Sequence, residues 1–368
     1  MDESPKGLGF SVVVLFRFKS MRIIIIVNEP SPYMDIWFNG LSKKNELTVI
    51  YNDEINKGHP WKDFQGFKGL LSSEITLSDL KKLVKNTDMV ISGGWVRKFC
   101  LMGMIYGFLY CKKTIMVTDH PFHPKSLPNL FKRYFLYRKL DYIFCATEST
   151  IKFLTREFGT IVQGKLRLFP YGINTEVEMV GCNSVASNDI NVLIATNFYH
   201  RKGHSVLFDA LKMLDKEAES IKSKYHFTFI GKGDELEKCQ QIARTLSIDT
   251  KFLGWVENDE YLRLMDETDV YIHPSIEEPF GIPPVDAMCK GKVVIVCDGV
   301  MSLLGLIRQG ENGYHYSSPV DNVEAPKELL DILLGLDKSK FNKIGSQAHK
   351  DAVEKFSFKQ YVDMVNSL

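Results

Sequence analysis

The chain reads as an α/β protein built from two doubly wound, parallel-sheet domains that face a central cleft. Three observations predict this. Its 368 residues suit two domains at about 100–200 residues each. Short aliphatic runs alternate with helix-length segments in both halves, the pattern of parallel sheets built from βαβ units. Charge also divides: residues 21–180 hold 22 Lys+Arg against 15 Asp+Glu, and residues 181–368 hold 21 against 28. Such a split suggests domains with different partners.

In the first half, Ile23–Val27, Leu47–Tyr51, Met89–Ser92, Thr114–Thr118 and Tyr142–Ala146 read as strands. The unbroken aliphatic run of the first is expected where a strand is covered on both faces. The second half restarts the alternation with strands at Asn191–Ala195, Phe227–Ile230, Val270–His273 and Val293–Val296. Helices at His204–Leu214, Glu235–Leu246 and Pro284–Lys290 separate them. Small polar residues at Val180–Asp189 read as a linker. The expected organisation is an extension outside the fold (1–20), a first domain (21–180), a linker (181–189), a second domain (190–348) and a C-terminal helix (349–368) that crosses back to the first domain.

Composition excludes several classes. Hydrophobic residues make up 45% and charged residues 25% of the chain, average values for a folded globular protein. A net charge of +1 argues against a nucleic-acid partner. Seven scattered cysteines without a C-x-x-C pair indicate neither a disulfide framework nor a zinc site. Asp2 and Glu3 stand where a signal peptide needs positive charge. The longest apolar run, Phe99–Cys111, falls short of the roughly 20 residues that a spanning helix needs. A cytoplasmic protein, at most peripheral to the membrane, is expected.

The stretch Ile272–Val296, IHPSIEEPFGIPPVDAMCKGKVVIV, carries the most chemistry. Pro283-Pro284 open a helix, where a missing N–H costs nothing. The amides of Phe280, Gly281 and Ile282 then sit at a helix N-terminus suited to an anion. Glu278 lies on the approach loop and Asp286 in the helix's first turn, so one ligand could meet a carboxylate at each end and amides between. A nucleotide-sugar has matching parts. On residue types alone, a helix-dipole role for Asp286 and a plain loop charge for Glu278 are equally open.

EPFGIPPVDAM followed by KGKVVIV resembles the E-x7-E segment of the retaining family 4 glycosyltransferases, the glycosyltransferases group 1. The resemblance implies the GT-B fold of two Rossmann-like domains, with Glu278 on the donor sugar and Asp286, a shorter carboxylate than the family's, on the ribose. Lys292 replaces a proline common before the closing strand. Asn191–Leu214 is similar to the family's KG segment, so that Arg201 and Lys202, otherwise a basic turn ahead of a helix, would neutralise a diphosphate. FTFIGKG at Phe227–Gly233 and FLGWV at Phe252–Val256 resemble its donor-side turns, which brings Gly231, Gly233 and Val256 into the site.

The first domain is matched more loosely. VTDHPFHP at Val117–Pro124 resembles a loop carrying an active-site histidine, here His120. LFKRYFLYRKL at Leu130–Leu140 mixes aromatic and basic residues in the manner of interfacial helices. It offers Lys132, Arg133, Arg138 and Lys139 to an anionic membrane or a lipid-linked acceptor; a helix covering the sheet is the equal alternative. Taken over the whole chain, the resemblance implies a retaining, metal-independent transferase without cofactor. It would move sugar from a nucleotide-sugar to a glycan or lipid-linked acceptor in surface polysaccharide or lipopolysaccharide assembly. An epimerase of the same fold, or an inactive donor-binding partner subunit, is the alternative.

Overall fold

A computed structural model describes residues 20–52, 66–119, 127–171, 173, 178–182, 188–320 and 322–368; the side chains of residues 32 and 127–132 are not described. His120 lies outside the described residues, and so does the side chain of Lys132.

The first domain runs β1 (Arg22–Val27), α1 (Pro32–Ser42), β2 (Glu46–Tyr51), β3 (Lys68–Leu71), α2 (Leu77–Lys85), β4 (Met89–Ser92) and α3 (Lys98–Leu109). It continues with β5 (Lys113–Thr118), α4 (Leu127–Lys139), β6 (Tyr142–Cys145), α5 (Glu148–Phe158) and β7 (Leu166–Leu168). Its seven strands are all parallel, in the order β3-β2-β1-β4-β5-β6-β7. Ile23 to Val27 are buried, as the aliphatic run requires.

The second domain runs β8 (Ile190–Ala195), α6 (His204–Leu214), α7 (Glu219–Lys222), β9 (Tyr225–Ile230), α8 (Leu236–Ala243), β10 (Asp249–Gly254) and α9 (Asn258–Asp266). Then come β11 (Val270–His273), α10 (Ile282–Cys289), β12 (Val293–Cys297), β13 (Tyr314–Tyr316), α11 (Ala325–Leu334), α12 (Phe341–Phe356) and α13 (Phe358–Asn366). Six parallel strands lie in the order β10-β9-β8-β11-β12-β13. In each sheet the order reverses beside the first strand, and the crevice beyond the strand ends at such a point is where doubly wound folds bind ligands.

The apolar run at Phe99–Cys111 is largely α3, a core helix. Cys100, Gly103, Met104 and Gly107 face the sheet. A Cβ on Gly103 would stand 2.2 Å from Ile26 Cδ1, and one on Gly107 2.6 Å from Thr114 Oγ1. The glycines let the helix lie directly on β1 and β5. Among the described residues no helix is long and apolar enough to cross a membrane.

The C-terminal segment is two helices rather than one. α12 packs on α10 of the second domain. At Ser357 the backbone turns extended (ψ 118°) and pairs with Ile173. α13 then crosses to the first domain and packs on α1, with Tyr361, Val362 and Val365 in that core. The start of the linker is strapped to the second domain: Gly181 N donates to Lys290 O at 3.0 Å, and Cys182 N to Asn342 Oδ1 at 3.1 Å.

Candidate functional site

The site begins with a tight turn. His200–Lys202 form one 3₁₀ turn that ends at Gly203 in the left-handed region (φ +68°). A Cβ there would stand 2.0 Å from the Pro274 carbonyl oxygen, so glycine alone lets the turn press against the loop after β11. Ile276 N and Glu277 N both donate to the Arg201 carbonyl, at 3.0 and 3.2 Å. Glu278 N donates to Gly299 O at 3.0 Å, and Met301 N to Glu278 O at 3.0 Å. Backbone bonds thus lock three loops together beyond the ends of β8, β11 and β12.

That lock joins two side chains that are 76 residues apart. Lys202 Nζ donates to Glu278 Oε2, with both side chains 12% exposed. His273 Nε2 lies 3.3 Å from the same oxygen. Burial opposes ionisation of Glu278, but the His273 hydrogen bond and the Lys202 ammonium outweigh it and hold the carboxyl at about 2. Burial pushes His273 below the usual imidazole value, against the pull of Glu278.

Beside this pair, α10 starts at Ile282 with Gly281 as N-cap (φ +82°) and both prolines in the first turn. The amides of Phe280, Gly281 and Ile282 donate to no backbone carbonyl among the described residues. They form an anion-binding end next to an ammonium group. Asp286 is the fifth residue of the helix, just past the first turn in which the sequence placed it, because the helix begins one residue before the prolines. Its carboxylate accepts from Tyr261 Oη at 3.0 Å. Removal from water pushes it up to about 7, against that hydrogen bond and the Lys290 charge.

The remaining motif residues of the second domain differ in what they do structurally. Arg201 is exposed, and its Nη1 donates to the Glu277 carbonyl at 3.2 Å. Gly231 (φ +136°) and Gly233 (φ +149°) press against the loop after β8: a Cβ on either would stand 2.4 Å from Thr196 O or Phe198 O. Their visible task is to let two loops touch. Val256 is half-buried against the second core, while Trp255 is 37% exposed with Lys232 Nζ 5.3 Å from its ring.

From the first domain, Tyr171 enters the cleft. Its hydroxyl donates to Asp119 Oδ2 at 2.6 Å, and its ring is edge-on to Phe280 at 5.0 Å and to Tyr33 at 5.4 Å. A second link is Lys355 with Glu148, 3.7 Å apart. A cavity of about 340 Å³ lies between residues 146–149, after β6, and residues 301–306, after β12.

One expectation is corrected. Arg133 is not offered to a membrane: it is 5% exposed, with its guanidinium 5.6 Å from the Trp95 ring. On α4 it faces inward together with Leu136 and Tyr137, while Tyr134, Phe135, Arg138 and Lys139 are exposed. His273, Tyr261 and Tyr171 were not anticipated. His273 closes a strand and reads as core, and Tyr261 and Tyr171 reach the site only by contacts across the fold.

Two parallel sheets meeting at such a cleft define a GT-B fold. Residues 183–351, which span the second domain, match the family described as glycosyl transferases group 1. A protein of the cps region of Klebsiella pneumoniae is 29% identical over 187 residues, 50% of this chain and 46% of the relative. The N,N'-diacetylbacillosaminyl-diphospho-undecaprenol α-1,3-N-acetylgalactosaminyltransferase of Campylobacter jejuni is 23% identical over 192 residues, 51% of this chain and 47% of its own. The chain thus spans about half the length of these curated relatives. A crystal structure of Anabaena HepE with UDP and glucose covers 94% of this chain and 99% of its own, at a TM-score of 0.72 and 16% identity, a likeness of fold.

Proposed function

We propose that this protein transfers a sugar from a nucleotide-diphosphate donor to a glycan or lipid-linked acceptor, with retention of configuration and without a metal, in surface polysaccharide or lipopolysaccharide assembly. One observation carries the reading: the Lys202–Glu278 pair stands beside the free N-terminal amides of α10, beyond the strand ends of the second sheet. The diphosphate would take the Lys202 ammonium and the amides of Gly281 and Ile282. Glu278 would hold a sugar hydroxyl, and Asp286 with Tyr261 the ribose. Arg201, exposed on the same turn, would add a second cation.

In the transfer step the bond from the anomeric carbon to the diphosphate oxygen breaks, and the acceptor oxygen bonds on the same face. The acceptor proton passes to the departing phosphate oxygen. The chain contributes positioning and preorganised positive charge where negative charge builds up. The Campylobacter relative's undecaprenol-linked substrate supports a lipid-linked acceptor reached from the cytoplasmic face. Exposed Tyr134, Phe135, Arg138 and Lys139 supply an interfacial surface for it.

The test is a thermal-shift screen of UDP-, GDP- and dTDP-sugars, since a ligand that binds only the native state raises the melting temperature. A hit is then incubated with and without acceptor glycolipids in EDTA. Transfer that requires the acceptor and survives EDTA supports the reading. Turnover of donor alone into an isomer, or strict Mg²⁺ dependence, overturns it.

A further inference from the structure

Resting on the donor site proposed above, we propose that His273 is a positioning residue: protonated on Nε2, it orients the Glu278 carboxylate and leaves Oε1 free for the substrate. Hydrogen accounting carries this. An ionised carboxylate only accepts, so the hydrogen between Glu278 Oε2 and His273 Nε2, 3.3 Å apart, belongs to the imidazole. The other ring nitrogen, Nδ1, lies 3.2 Å from Tyr271 Oη. The same hydroxyl donates to Ala195 O at 3.1 Å. Ala195 ends β8, so the ring of His273, itself 1% exposed, is fastened through Tyr271 to a neighbouring strand. Ser275 Oγ lies 3.2 Å from the same Nε2.

Rigidity separates this hold from that of Lys202. His273 ends β11, its ring stacked at 20° to that of Tyr271, so it has no room to follow Glu278. Lys202 is a point charge on a four-carbon stem that a diphosphate can draw away. Both contacts fall on Oε2, and Oε1 has no partner among the described residues. When the donor takes the ammonium, the imidazole still fixes the carboxylate. The ionisable groups facing His273 are Glu278 and Lys202 across the loops, Tyr271 on its own strand, and His204 at the start of α6. Burial pushes His204 down to about 4, so it adds no charge near neutral pH.

Two measurements test the proposal. In long-range ¹⁵N–¹H spectra of the ¹⁵N-histidine-labelled full chain at pH 7, His273, assigned by its loss in His273→Gln, is expected to carry a proton on Nε2. An Nδ1–H tautomer with a bare Nε2 overturns the proposal. With whichever nucleotide-sugar the screen selects, His273→Leu should lower kcat/KM by about tenfold to a hundredfold, as loss of a charge-assisted hydrogen bond does. The affinity for the bare nucleotide should stay unchanged, and His273→Gln, which can donate from a similar place, should recover most of the loss. If Glu278→Gln is impaired and His273→Leu is not, the positioning role falls and the donor site stands. If neither is impaired, the donor site itself falls.

Discussion

The Tyr171 hydroxyl donates to Asp119 of the first domain at 2.6 Å while its ring lies edge-on to Phe280 of the second at 5.0 Å. One side chain thus ties the loop after β5 to the N-terminus of α10. A hydrogen bond to a carboxylate contributes about 1.5–3 kcal/mol, and Tyr171→Phe removes it while keeping the ring contact. The expected result is a melting temperature lower by a few degrees with nucleotide affinity intact, read by scanning calorimetry and titration. Unchanged melting would show that the bond does not tie the domains.

Lys202→Ala should reduce turnover a hundredfold or more, about 3 kcal/mol, as loss of a preorganised charge-stabilising group does. It should also change the pH profile. Glu278 is held at about 2 by His273 and Lys202 against its own burial. Without the ammonium, burial pushes the carboxyl upward, and the acid limb of kcat/KM should move to higher pH. A pH–rate profile of the variant that keeps the parent's acid limb would refute the coupling.

Asp286 works in the opposite direction. Its native carboxyl is raised to about 7 from 3.8, so between those values the folded state holds more protons than the unfolded state. Stability from this group is therefore lost as pH rises through that window. Asp286→Asn removes the titration, and the melting temperature of the variant relative to the parent should climb between pH 4 and 7 and level off above. A flat difference would mean that Asp286 ionises normally.

Lys292, wholly buried, donates through Nζ to Gly181 O of the linker and to Asp266 O at 2.8 Å. Lys292→Met leaves both carbonyls unpaired, at about 1–3 kcal/mol each. Proteolysis near residues 178–182 should accelerate and the melting temperature should fall, while nucleotide affinity holds. Equal cleavage rates would show that the strap does not depend on this lysine.

Arg138→Glu with Lys139→Glu should abolish cosedimentation with anionic vesicles, since each basic residue near such a surface contributes about 1 kcal/mol. Arg133→Ala should instead lower stability. Equal binding of parent and variant would exclude this face.

The alternation of apolar runs and helix-length segments in the sequence already specified both sheets, because strands covered on both faces must be continuously aliphatic. The edge strands β3, β7 and β13 escaped notice: at three or four residues each, partly exposed, they carry no such run. Glu278, Gly281 and Asp286 on one strand–loop–helix unit, and Lys202 on another, were legible as motif residues because the spacing within each unit is local. Their chemistry was not. Only the folded chain brings the ammonium of Lys202 against Glu278, sets His273 behind that carboxylate and Tyr261 over Asp286, and carries Tyr171 in from the other domain. The helical period of α4 likewise showed an amphipathic helix, but which side meets Trp95 depends on how the helix lies on its sheet, and that turned Arg133 inward. Partners distant in the chain are chosen by backbone approach, as at Gly203 against Pro274, and sequence patterning records periodicity along one element rather than the distance between two.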